Sequence, residues 1–131
     1  MKQELILKSS LDSLADLEQF VDNITEQAGL DEDTASRFQL VMSEACTNAI
    51  MHGNKMDETK NVYIESLISD RKIIVTVKDQ GKGFNPDSVP DPLATDNLLK
   101  PSGRGVYLIR QYADDVKYSS KGNVLTFTIN F

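Results

Sequence analysis

The sequence has few of the residues that build disulfide or zinc sites. Cys46 is the one cysteine and His52 the one histidine among 131 residues, which argues against an internal disulfide or a zinc site. No apolar run approaches the roughly 20 residues that cross a bilayer. The start, Met1-Lys2-Gln3-Glu4, also lacks the basic and then apolar segments of a secretion signal. We therefore expect a cytoplasmic protein with no membrane partner.

Basic residues are scarce in the first half of the chain. Residues 1–65 carry 13 acidic and 5 basic side chains, and residues 66–131 carry 7 acidic and 9 basic ones. An acidic surface repels phosphodiester backbones, and no basic stripe with interleaved aromatic residues occurs, so we expect no direct nucleic-acid contact. The acidic excess fits a basic or mixed-charge protein partner, or simply two solvated amphipathic helices.

The length and the hydrophobic content of 40% predict a single domain over residues 1–131. Apolar spacing, capping residues and alternation predict the elements along the chain. In order they are a strand at 4–8, a helix capped by Ser9 or Ser10 and ended by Gly29, a helix from Asp31 or Asp33 to about His52, strands at 61–68 and 72–78, a helix at 103–113, and strands at 116–119 and 124–131. Helices segregated from a mainly antiparallel sheet indicate an α+β fold, a two-layer sandwich.

The second helix carries the motif Glu44-x-x-x-Asn48-x-x-x-His52. Residues four apart on a helix lie in one slowly drifting row, so the three side chains are predicted to point the same way, beside the apolar face. An amide oxygen is a suitable Mg²⁺ ligand, and a carboxylate one turn away can take a proton from a nucleophile. The alternative is a solvated helix edge without chemistry.

The second motif, Asp79-x-Gly81-x-Gly83, follows a predicted strand. Asp79 is in register with the inward-facing Ile73, Val75 and Val77, so a carboxylate is predicted to continue the buried face. A buried carboxylate needs a partner, which the amino group of a purine could supply. The other interpretation is a turn aspartate at a strand end.

The third motif is Gly103-x-Gly105, before the third helix. Backbone N–H groups at a helix N-terminus bind phosphate oxygens, and Lys100 or Arg104 could add positive charge. All four prolines lie between the second and third motifs, in the segment 85–102, which is too long for an ordinary connection. We interpret this segment as a lid over a ligand, although such glycine pairs also occur as plain loop punctuation.

Taken in order, the three motifs resemble the N, G1 and G2 boxes of the GHKL superfamily of ATP-binding proteins, which have the Bergerat fold. The stretches from Glu44 to Gly53 and from Gly103 to Ile109 are most similar to bacterial anti-sigma-factor serine/threonine kinases. The resemblance implies a mixed, mostly antiparallel sheet with helices on one face, and ATP and Mg²⁺ as cofactors. It also implies two partners, a sigma factor and a small anti-anti-sigma protein of the STAS type, and a homodimer.

The resemblance assigns a role to most of the motif residues. Glu44 would be the catalytic base, Asn48 the Mg²⁺ ligand and Asp79 the contact to the adenine amino group. Gly81, Gly83, Gly103 and Gly105 would shape the pocket and the hinges of the lid. His52 could contact phosphate or Asn48, or serve only to end the helix.

Two other functions remain open at this point. A binding module could use the nucleotide only to switch its affinity for a partner, without turnover. A detached catalytic domain of a histidine kinase would instead phosphorylate a histidine of another chain. The chain has no segment in its first helix that resembles a phosphoacceptor, which favours the serine/threonine kinase.

Overall fold

The structure is a computed structural model, and it describes residues 1–81 and 101–131. These residues form three helices and five strands. In chain order they are β1 (Lys2–Lys8), α1 (Leu14–Ala28), α2 (Glu32–Asn48), β2 (Asn61–Ser69), β3 (Lys72–Lys78), α3 (Pro101–Tyr112), β4 (Asp115–Tyr118) and β5 (Val124–Asn130). Two short pieces adjoin the helices, a 3-10 turn at Leu11–Ser13 before α1 and a π-helical turn at Ala49–Gly53 after α2.

Helix α1 begins later than the sequence predicts. Of the two predicted caps, Ser10 is used: its hydroxyl accepts the Asp12 N–H and caps the 3-10 turn. Ser9 is buried, and its N–H donates to the Lys60 carbonyl. Leu11 is consequently exposed instead of joining the apolar stripe of α1, in which Leu17, Val21 and Ile24 are buried. Gly29 ends the helix as predicted, with a left-handed φ of 65°.

Helix α2 starts where the sequence predicts, because the Asp31 carboxylate accepts the Thr34 N–H at 2.8 Å. Its buried side holds five residues, Phe38, Val41, Met42, Ala45 and Cys46. Burial raises the pKa of the Cys46 thiol to about 12, so this cysteine is a neutral core residue, as its neighbours in the sequence predict.

The five strands form one sheet in the order β1-β2-β3-β5-β4. All four pairings are antiparallel, so the described strands contain no parallel pair of the kind a mixed sheet would have. The β2–β3 hairpin turns at Asp70 and Arg71, in the gap between the two predicted strands, and these residues have left-handed φ values of 51° and 61°.

The core lies between the helices and one face of the sheet. Alternate residues of β3 and β5 are buried beneath the helices, among them Val75, Phe127 and Ile129, together with Phe38 of α2 and Ile109 of α3. The opposite face of the sheet carries exposed or half-buried side chains. This arrangement confirms the predicted α+β two-layer sandwich. No helix within 1–81 or 101–131 is long and apolar enough to cross a membrane.

Candidate active site

The inner face of β3 ends at a carboxylate. Ile73, Val75 and Val77 are buried, and Asp79, two residues further on, is also buried at 8% exposure. The Asp79 N–H donates to the Asn123 carbonyl at 3.0 Å, which extends the pairing of β3 with the start of β5. The predicted inward direction of Asp79 is therefore confirmed, and it follows from the period of two along a strand.

The Asp79 carboxylate has one hydrogen-bond donor close by in the chain. Its Oδ1 accepts the Gly81 N–H at 2.8 Å, so Asp79 also forms the local turn that was the alternative interpretation of this residue. Burial raises the pKa of Asp79, and the Gly81 hydrogen bond and the charge of Lys60 oppose that rise. A hydrogen-bond donor on a ligand would stabilise the charged form further.

Two glycines allow the end of the π-helical turn to lie directly against this carboxylate. A Cβ atom on Gly53 would come within 2.3 Å of Asp79 Oδ2, and one on Gly81 would come within 1.9 Å of the Gly53 carbonyl oxygen. A side chain at residue 81 would therefore collide with backbone, and one at residue 53 would displace the Asp79 carboxylate. The sequence predicts the role of Gly81, but it indicates Gly53 only as the end of a helix.

The first motif extends from α2 into the π-helical turn that follows it. Glu44 and Asn48 are half-buried in the last two turns of α2, whereas His52 is exposed in the π-helical turn. There the Asn54 N–H donates to the Ala49 carbonyl, five residues back, at 2.8 Å. This spacing winds the backbone more widely than an α-helix, and His52 lies in the widened turn.

Helix α3 begins at Pro101 and brings the third motif against the first. A Cβ atom on Gly105 would lie 2.2 Å from Asn48 Nδ2, so the Gly105 backbone packs on the Asn48 amide. Gly103 and Arg104 lie in the first turn of the helix, which begins two residues before its predicted start at residue 103. Gly105 is the fifth residue of α3, so its N–H falls outside the four that are free at a helix start.

Some predicted site residues cannot be placed. Gly83, Lys100 and nearly all of the predicted lid at 85–102 lie outside the described residues. Within the described ones, the end of α2 and the π-helical turn contact both other motifs, through Gly53 to Asp79 and through Asn48 to Gly105. The three motifs therefore converge at one end of the helical layer.

The described part of the chain contains no group of three or more His, Cys, Asp and Glu side chains placed to hold a metal ion. The amide oxygen of Asn48 is a hard, neutral donor of the kind that binds Mg²⁺. Mg²⁺ usually keeps few protein ligands and takes the rest from water and substrate phosphates. The donor set at this site therefore fits Mg²⁺ only when phosphate oxygens are supplied with it.

One buried residue of the site is absent from the sequence predictions. Asn54, 1% exposed, follows Gly53 and accepts the Gln80 N–H at 2.7 Å, directly between Asp79 and Gly81. The two partners are 26 positions apart, and a His-Gly-Asn sequence at a helix end looks like an ordinary stop signal. The folded structure alone brings Asn54 to the site.

The chain is similar to a family of ATPase domains and to bacterial anti-sigma factors. Residues 7–129 match the family described as histidine kinase-like ATPase domain. The chain is 37% identical over 93 residues to the anti-sigma F factor of Anoxybacillus flavithermus, which covers 70% of this chain and 64% of that protein. It is 36% identical over 90 residues to the anti-sigma F factor of Oceanobacillus iheyensis, covering 67% and 62%. The matched part thus spans less than two thirds of either relative.

Proposed function

Because the chain belongs to the family of histidine kinase-like ATPase domains, we propose that it is an anti-sigma regulatory kinase that binds ATP with Mg²⁺. It would transfer the γ-phosphoryl group to a serine or threonine hydroxyl of a STAS-type anti-anti-sigma protein, and would hold a sigma factor inactive. The names of the similar anti-sigma F factors support the sigma-factor partner. The homodimer remains a prediction from the resemblance.

The observation that carries this proposal is the buried carboxylate of Asp79 between Gly53 and Gly81. A carboxylate at the end of an apolar face selects a ligand that brings a hydrogen-bond donor and a flat apolar surface. The amino group of adenine is such a donor, and its ring is such a surface. Burial raises the pKa of Asp79 although the Gly81 hydrogen bond and the charge of Lys60 oppose the rise, so the desolvation of the carboxylate is only partly compensated in the free protein.

The phosphates would lie toward α3. The free N–H groups of its first turn, which includes Gly103 and Arg104, would donate to phosphate oxygens. Asn48 would hold Mg²⁺ through its amide oxygen, and bound Mg²⁺ would neutralise the phosphate charge. Asn48 is packed against Gly105, so its amide is fixed relative to the same helix start.

Glu44 would act as the catalytic base, one helical turn before Asn48. Its carboxylate would accept the proton of the attacking hydroxyl while the new oxygen–phosphorus bond forms. The bond between the γ-phosphorus and the bridging oxygen then breaks, and ADP leaves. The half-buried position of Glu44 on the same side of α2 as Asn48 supports this assignment.

The proposal is tested with the variant Glu44→Ala, with labelled ATP and a purified STAS-type protein as acceptor. Removing a general base costs about 10²- to 10⁴-fold in rate, so we expect transfer to fall by that factor while ATP affinity stays within about twofold. Glu26→Ala, which removes an exposed glutamate on α1, serves as the control and should transfer at the wild-type rate.

Each other result has a distinct meaning. Equal transfer by the wild type and by Glu44→Ala would contradict the role of Glu44. ATP binding without transfer in any preparation would favour the nucleotide-switched binding module. Product that loses its label in acid would indicate phosphohistidine, and therefore the detached histidine-kinase domain.

A further inference from the structure

Asn54 lies outside the predicted motifs, yet its side chain joins four segments of the chain. It stands at the end of the π-helical turn, and its Nδ2 donates to the Ser9 hydroxyl at 2.8 Å and to the Asn61 carbonyl at 3.0 Å. Its Oδ1 accepts the Gln80 N–H at 2.7 Å. The end of β1, the start of β2 and the turn after β3 therefore meet at one buried amide.

The partners of Asn54 are themselves tied together. The Ser9 hydroxyl donates to the Lys60 carbonyl at 2.8 Å, and the Asn61 N–H donates to the side-chain oxygen of Gln80. The backbone of Asn54 is fixed as well, because its N–H donates to Ala49 and its carbonyl accepts the Asp57 N–H. The amide is thus held rigidly from the strand side and the helix side.

Only an amide satisfies this arrangement, since both Nδ2 hydrogens and Oδ1 are used. A buried polar group that loses its partner is costly, so an alanine at this position would leave the Gln80 N–H unpaired. Gln80 lies between Asp79 and Gly81, whose N–H donates to the Asp79 carboxylate. The Gln80 N–H that donates to Asn54 thus stands in the same short turn as the N–H that donates to the carboxylate.

The segment after Asn54 indicates that the position is under constraint. Lys55 and Met56 have left-handed φ values of 53° and 62°, which are unfavourable for residues with a side chain. The Met56 N–H donates to the Ile50 carbonyl at 2.8 Å. This unfavourable backbone conformation thus occurs immediately after Asn54, the residue that makes the hydrogen bonds.

We propose that Asn54 is a positioning residue that sets the selectivity of the nucleotide site. It would not touch the nucleotide but would hold the Gln80 peptide, so that the Asp79 carboxylate faces the adenine amino group. This inference rests on the proposed function. It predicts that Asn54 controls discrimination between a base with an amino group and one with a carbonyl group at the same position.

The experiment compares the binding of ATP and of inosine triphosphate, which carries a carbonyl in place of the amino group. We expect the wild type to prefer ATP by at least about tenfold, the factor that one hydrogen bond to a charged group supplies. Asn54→Ala should lower this preference severalfold. Gly29→Ala, at the end of α1 with open space around it, should lose stability without a change in the preference.

The outcomes separate this inference from the proposed function. A wild type that binds neither nucleotide would overturn the function. A wild type that prefers ATP, with a folded Asn54→Ala variant that keeps the same ratio, would overturn only the positioning role. If Asn54→Ala loses affinity equally for both nucleotides, the preference for ATP is unchanged. That result would also overturn the positioning role.

A second measurement needs no variant, so it applies even if Asn54→Ala does not fold. Amide hydrogen exchange of Gln80 in the unliganded wild type reports directly on the bond to Asn54. We expect slow exchange, comparable with that of the paired amides of β3. Exchange as fast as that of the exposed turn at Asp70 would overturn the inference.

Discussion

The inner face of β3 has two ends that are built in different ways. At one end Ile73 and Val75 pack among apolar side chains, and Val77 lies close behind them. At the other end Asp79 meets the backbone of two glycines and a hydrogen-bonded turn. The apolar end needs residues of the right kind and size, whereas the site end needs individual atoms at fixed positions. Substitutions should therefore reduce stability at the first end and binding at the second.

The largest effect is expected where the two glycines meet. Gly81→Ala would place a Cβ atom 1.9 Å from the Gly53 carbonyl oxygen, so the turn has to move. We expect a loss of about 1–3 kcal/mol in the free energy of unfolding, the usual cost of overpacking. ATP binding should disappear with it, as measured by calorimetry and urea denaturation.

Gly29→Ala is the matched control for that substitution. Gly29 also needs its glycine, because of its left-handed φ of 65°, but no atom lies near the added Cβ. The cost should be about 1–2 kcal/mol, with ATP affinity unchanged. Equal loss of binding in both variants would mean that binding follows global stability, and the contrast between the two ends would be wrong.

A smaller effect is expected for Asp79→Asn, and here the free energy of unfolding should stay the same or rise instead of falling. The pKa of Asp79 is higher in the folded protein than in the unfolded chain. At pH values between these two pKa values, the folded protein therefore binds more protons than the unfolded chain. Stability is therefore lost as the pH rises through this window, and the whole cost is present above it. An asparagine removes the charge but keeps an oxygen for the Gly81 N–H.

Asp79→Asn should accordingly unfold at the same or a higher urea concentration than the wild type at pH 7. The difference should shrink when the pH is lowered to about 4, where the carboxyl group takes up its proton. Denaturation curves at several pH values test this. A variant that is clearly less stable at pH 7 would show that the charge of Asp79 helps to hold the free protein together.

The smallest effect is expected inside the apolar end. The Ser66 hydroxyl on β2 is buried without a hydrogen-bond partner among the described residues. Ser66→Ala should raise the free energy of unfolding by up to about 1 kcal/mol and leave ATP affinity unchanged. Ser9→Ala removes an equally buried hydroxyl that does have partners, and it should be destabilising. Destabilisation by both would indicate that Ser66 has a partner after all.

The two ends also differ in how far the sequence predicts them. The alternation from Ile73 to Asp79 predicts directly which side chains face inward, because side chains along a strand repeat every two residues. The Asp31 cap and the Gly29 stop are local signals of the same kind. The sequence predicts a helix to about His52, and helical winding does continue to Gly53, but from Ala49 onward it is a π-helical turn instead of an α-helix. Nothing in the local sequence marks that change of winding.

The site end depends on contacts between distant parts of the chain. Gly53 lies against Asp79, Asn48 against Gly105, and Asn54 against Gln80. Each of these pairs joins residues from different elements. The motifs include both Asn48 and Gly105 but not the contact between them, they include Asp79 but give no sign of its contact with Gly53, and they include neither Asn54 nor Gln80. The three motifs identify the kind of site, and the folded chain adds the residues that hold the motifs together.

The central claim is that the Asp79 carboxylate accepts a hydrogen bond from the adenine amino group of a bound ATP. Calorimetric titration of the wild type and of Asp79→Asn with ATP and Mg²⁺ tests it most directly. We predict saturable binding by the wild type and an affinity at least about tenfold lower for the variant, because one hydrogen bond to a charged group is lost. No heat with the wild type, or equal affinities for the two proteins, would contradict the claim.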